Sequence, residues 1–192
     1  MSCILSDKLK EETFIRMYFN PKKENYHYAG LKRAYLDFNR TLPIKDKNIT
    51  DRQKKIEETI SYLNGNLKRL ISGDYKNQES FDRAHKKLCE KLIGEWDELS
   101  IGQAQKWINM SLKYWLLMGE SRIEHIDKNP EFFHIPIDRN VLEKMLGEKN
   151  IAWSKMSEYG KYLELQKKHR KKNSGNPPII DEIKFFNETE SV

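Results

Sequence analysis

The chain has 192 residues, 38% of them hydrophobic and 11% aromatic, which is enough apolar side chain for one domain, or two small lobes, with a true core, and excludes a disordered chain. Lysine and arginine (35) exceed aspartate and glutamate (29), so the formal net charge is +6; phosphate is a plausible partner, although 33% charged residues also describe an ordinary solvated surface. No run reaches the roughly 18 apolar residues that span a bilayer, Met1 to Asp7 is too short and polar for a secretory leader, and Cys3 and Cys89 lack metal-ligand spacing, so a cytoplasmic protein with no membrane partner, no metal and no cofactor is expected.

Helical spacing dominates the chain, and no run alternates as a half-buried strand does. Leu5, Leu9 and the residues around Phe14 to Phe19 predict a first helix that Asn20-Pro21 stops, and a second covers Tyr28 to Asn39. Thr50-Asp51 caps a longer third helix, whose Ile56, Ile60, Leu63, Leu67 and Leu70 recur at three- and four-residue steps until Ser72-Gly73-Asp74 breaks it. Phe81, Leu88 and Leu92 mark a fourth, with Cys89 packed on one face, leading through Trp96 to a turn at Ser100 to Gly102. The fifth runs from Gln103 to Met118 and ends at Gly119, expected as a left-handed cap. Residues 120–135 read as an irregular connection with one turn of helix, and a short helix follows Asp138 and ends near Gly147. Trp153, Met156, Tyr159, Leu163 and Gln166 outline a final helix that runs into the basic cluster Lys167 to Lys172, a solvated helix end or a contact for nucleic-acid backbone. After a linker over Asn173 to Pro178, the apolar residues between Ile179 and Phe186 predict a tail that docks on the body. The expected class is therefore all-α: a compact helical domain over 1–172, with a helix-hairpin-helix element near 97–103, and a docking tail over 173–192.

Two segments carry chemistry. Leu99-Ser-Ile-Gly102 joins two helices through a tight turn, where backbone amides and a helix N-terminus can present an anion site; an ordinary hairpin inside a helical bundle has the same pattern. Lys106 lies one turn into the second helix and Lys113 seven residues further, on nearly the same face, among Trp107, Ile108, Leu112, Tyr114 and Trp115. A lysine in such surroundings either snorkels to the edge or is desolvated, and desolvation frees an amine able to attack carbon. The second segment, Ile135-Pro-Ile-Asp138, sets an extended, proline-restricted strip before an aspartate at a helix start. A carboxylate held by helix amides stays ionised and rigid, and suits the stabilisation of positive charge developing on a sugar. Together the two segments suggest a lysine and an aspartate facing one cleft. The five histidines show no metal or triad spacing.

In this order the two segments resemble the helix-hairpin-helix DNA glycosylases of the endonuclease III and 8-oxoguanine glycosylase superfamily, which carry a Leu-Pro-Gly-Val-Gly-like hairpin, a lysine in the next helix of the bifunctional members, and a Val-Pro-Val-Asp-like segment. The resemblance covers residues 80–145. The hairpin here has one glycine and no proline, Ala104 holds the usual place of the lysine and Lys106 sits half a turn later, and the four-cysteine iron-sulfur cluster is absent. The long gap between hairpin and aspartate looks most like the divergent archaeal 8-oxoguanine glycosylases. The resemblance implies excision of a damaged or modified base that DNA flips into a cleft. It implies that Asp138 stabilises an oxocarbenium-like transition state and that Lys106, or Lys113 in a shifted register, attacks C1′ to form a Schiff base. Gly102, Gln103, Gln105 and Lys113 would contact DNA backbone or a base edge, and Trp107, ahead of Trp115 and Trp153, would stack on the flipped base. Two alternatives stay open: a non-catalytic helix-hairpin-helix module that binds nucleic acid, and an α-helical protein-interaction factor.

Overall fold

In the computed structural model, which describes residues 5–43, 49–173 and 175–189, the apolar spacing is realised as seven α-helices and no strand among those residues. They are α1 (Asp7–Phe19), α2 (Tyr26–Phe38), α3 (Ile49–Ser72), α4 (Gln78–Glu95), α5 (Ile101–Met118), α6 (Tyr159–Lys172) and α7 (Pro178–Thr189). Starts are fixed by side-chain caps: Ser6 accepts from the amide of Leu9, Asn77 and Ser80 form a reciprocal capping box on α4, and Ser100 and Gln103 form another on α5.

Helix α5 is the axis of the molecule, with 16 of its 18 residues buried, as a helix packed on every side must be. Helix α2 lies along it closely enough that the indole N–H groups of Trp107 and Trp115 donate to the backbone carbonyls of Leu31 (3.0 Å) and His27 (3.1 Å). That approach depends on Gly30, where an added Cβ would stand 2.7 Å from the Trp115 ring. Trp107 also packs with Tyr35, Phe38 and Trp96, so the aromatic residues at this end form one apolar cluster. Helix α4 lies against α5 and α3, and its Cys89 is buried with Sγ 3.6 Å from His85 Nδ1, whereas Cys3 lies outside the described residues.

Two local expectations are corrected and two are refined. Gly119 has φ 78° and ψ 166°, a positive-φ but extended conformation rather than a left-handed helical cap. The last basic helix begins at Tyr159, not Trp153, because residues 153–155 form a separate 3₁₀ turn, and carbonyls in and just after it serve α5: Ser154 O accepts from Ser100 Oγ (2.7 Å), and Met156 O accepts from the Gly102 amide (3.0 Å). The docking tail is itself a helix, α7, seated through buried Ile179 and Glu182. The short helix after Asp138 is a single wide turn over Val141–Leu146, with i→i+5 bonding.

Candidate active site

The extended strip 133–137 passes between α5 and α6, where no strand is available to satisfy its backbone. Two glutamine side chains take that place. Gln166 donates to Ile135 O (2.8 Å) and accepts from Ile135 N (3.1 Å); Gln105 donates to Ile137 O (2.7 Å) and accepts from Ile137 N (3.1 Å). Pro136 between them has no amide to satisfy. Asn109 extends the network, donating to Gln105 Oε1 (3.0 Å) and to the Tyr162 hydroxyl (2.8 Å). Fully buried His134 bonds Tyr162 through Nδ1 (2.7 Å) and Asp82 through Nε2 (2.8 Å), and His85 bonds Tyr159 and Asn109. Burial pushes both histidines below their ordinary range. Burial pushes Asp82 upward, but its hydrogen bonds from His134 and Gln78 outweigh this and hold the carboxyl below the usual carboxylate range.

This framework delivers Asp138 to a helix start. Its Oδ1 accepts from the Val141 amide (2.9 Å), and its Oδ2 lies 2.6 Å from Lys106 Nζ. The Lys106 side chain is 5% exposed and that of Asp138 26%, so the ammonium is enclosed while the carboxylate opens on a cleft of about 620 Å³. Seven residues along α5, Lys113 Nζ pairs with Glu182 of α7 at 2.7 Å and lies 4.8 Å from the centre of the Phe186 ring. Across the cleft, α2 contributes Asp37 and Arg33. Asp37 Oδ2 accepts from the Tyr114 hydroxyl (2.5 Å), and Arg33 stacks 4.5 Å over the Tyr18 ring. Burial raises the Asp37 carboxyl above its usual range, against the opposing pull of Tyr114, Arg33, Lys106 and Lys113. Phe14, Tyr18, Tyr114 and Trp153 supply aromatic wall, and Arg40 and Lys144 add positive charge.

Of the residues singled out from the sequence, the fold brings Lys106, Asp138, Lys113 and Trp153 to one cleft. The others are committed elsewhere. The Gly102 amide is bonded to Met156 O, and a Cβ at Gly102 would fall 1.7 Å from Trp153 O, so this glycine serves the approach of residues 153–156. The Gln103 amide is bonded to Ser100 Oγ, and its side chain donates to Thr41; Gln105 holds the strip, and Trp107 is sealed in the core at 0% exposure. The expected open anion site at the hairpin is therefore closed by the chain itself. Sequence reasoning missed Asp37, Arg33, Tyr114 and Glu182 as cleft residues. The apolar pattern between Ile179 and Phe186 signalled that the tail docks; nothing local signalled that Glu182 would meet Lys113.

No protein-family model, curated protein or solved structure matches this chain. Among the described residues no helix is long and apolar enough to cross a membrane.

Proposed function

We propose that the protein is a DNA glycosylase that removes a damaged or modified base turned into this cleft, with Lys106 carrying a lyase step. The observation that supports it best is the enclosed Lys106–Asp138 pair, 2.6 Å apart, beside a cleft of nucleotide size with aromatic walls and a lining of both charges to which Arg33, Arg40 and Lys144 add cations. In this reading the Lys106 ammonium passes a proton to Asp138, and the freed nitrogen pair attacks C1′. The C1′–N bond breaks, its electron pair leaving on the base, which takes up a proton from solvent. The new C1′–N linkage then loses a proton, and O4′ departs with its bond pair and accepts the proton from Asp138, giving a Schiff base on the opened sugar. The Val141 amide keeps Asp138 oriented throughout. The Gly102 and Gln103 amides are both engaged within the chain, which counts against a non-catalytic module that grips phosphate with this turn.

The test is incubation of wild type, Asp138→Asn and Lys106→Ala with duplexes bearing 8-oxoguanine, uracil, alkylated bases or modified cytosines, scoring base release and borohydride-trapped adducts. Release by wild type, lost in Asp138→Asn by about 100-fold or more, and an adduct absent in Lys106→Ala are expected. Salt-sensitive binding with neither release nor adduct would leave a binding module instead.

A further inference from the structure

We propose that Asp37 reads the extruded base and selects one carrying an exocyclic amino group; this rests on the glycosylase reading. Asp37 stands in the wall of the same cleft as Lys106 and Asp138, on a different helix and outside the reacting pair. Its Oδ2 accepts the Tyr114 hydroxyl at 2.5 Å. With the Tyr114 proton so used, the Tyr18 hydroxyl at 3.3 Å is the donor of that pair, and neither phenol has a proton to spare for Asp37 Oδ1. Arg33 lies 3.7 Å from Oδ1, an ion-pair distance beyond hydrogen-bond reach. Among the described residues Oδ1 thus has no hydrogen-bond donor, on a side chain only 20% exposed. A ligand that fills the cleft displaces the water around that oxygen and must replace its donor, or the buried carboxylate is left unmatched.

The bases differ at this point. Adenine and cytosine each offer an amino donor next to a ring-nitrogen acceptor, and guanine offers its amino group and ring N–H next to a carbonyl. Each therefore sets donors on Asp37 with an acceptor toward the neighbouring Arg33 guanidinium. Uracil-type bases and hypoxanthine lack the amino group. Uracil flanks its single N–H with two carbonyl oxygens, one of which is forced toward the carboxylate, and hypoxanthine leaves one donor position empty.

The experiment uses matched pairs that differ in the amino group: duplexes with 5-hydroxycytosine or 5-hydroxyuracil, and with 8-oxoguanine or 8-oxohypoxanthine. A duplex with an abasic site, which has no base to read, reports Lys106 through borohydride trapping. Wild type is expected to release the amino member of at least one pair about tenfold faster or more. Asp37→Asn is expected to erase that preference by slowing release of the amino member, while abasic trapping stays within about twofold of wild type. Equal release within both pairs, faster release of the oxo members, a preference that survives Asp37→Asn, or wild-type trapping with no release from any of the four duplexes overturns the proposal. Parallel loss of trapping in Asp37→Asn assigns the residue to structure and overturns it as well. Neither trapping nor release by wild type is a different result: the glycosylase reading itself then falls, and the inference with it.

Discussion

At Lys106 and Asp138 the two partners of one ion pair are unequally buried, and the consequences of losing each differ. Removing Asp138 strands an ammonium whose side chain is 5% exposed and also deletes the cap on the Val141 amide; removing Lys106 leaves a carboxylate that is 26% exposed and keeps its amide donor. Asp138→Ala is accordingly expected to cost about 3 kcal/mol, and Lys106→Met distinctly less, measured as ΔG from urea unfolding. Equal losses would contradict the burial asymmetry. Two glycines give a sharper contrast. Gly102→Ala drives a Cβ into the Trp153 carbonyl and is expected to lower stability by about 3 kcal/mol or more, because backbone, rather than a flexible side chain, must move. Gly94→Ala, in exposed helix with no atom within 4 Å of the added carbon, is expected to raise it by about 0.5–1 kcal/mol.

At the level of elements, the strip before Asp138 shows how an all-helical chain holds an extended segment in its interior. Its amides and carbonyls have no sheet to join, and an unpaired buried backbone group is costly, so Gln105 from α5 and Gln166 from α6 clamp it from two directions. Gln105→Leu fills nearly the same space while orphaning both polar groups of Ile137. A loss of about 2–4 kcal/mol is expected, with faster hydrogen exchange at Ile137 than at the amides of α3. Unchanged protection at Ile137 would mean that the clamp is dispensable. Because the strip sets the position of Asp138, the proposed glycosylase function predicts that the same variant slows borohydride trapping more than it weakens binding to an abasic duplex.

Over the whole molecule, the buried network that joins α4, α5, α6 and the strip makes the fold sensitive to acid. His85 and His134 titrate below their ordinary range because burial penalises the charged ring, so the unfolded chain takes up their protons first. The stability they confer is complete above the ordinary histidine value of 6.5 and is lost as pH falls below it toward their folded values. Asp82 acts lower: its depressed folded value contributes stability above the ordinary aspartate range, which is lost as pH falls through that folded value. Tm is therefore expected to hold steady from pH 8 to 7 and to fall progressively from about pH 6.5 downward. A flat profile to pH 5 would show that the histidines are not kept neutral by the core.

Helix positions, the break at Ser72 to Asp74 and the aspartate at a helix start are all written locally, in i, i+3 and i+4 apolar spacing, in capping residues and in the fixed φ of proline, each of which acts within one turn of chain. Lys106 and Asp138 were legible for the same reason: a glycine turn sets one and a proline strip the other, although their distance of 2.6 Å is a product of packing. What only the tertiary structure decided is where side chains with two uses spend themselves. Gly102 has the same lack of Cβ whether it admits an anion or the Trp153 carbonyl, and Trp107 the same indole whether it stacks on a base or donates to Leu31 O. Asp37 and Glu182 carry no local signal, because a carboxylate on an amphipathic helix looks solvated until another helix closes over it; the docking of α2 and α7 on α5 turned them into the acidic lining of the cleft.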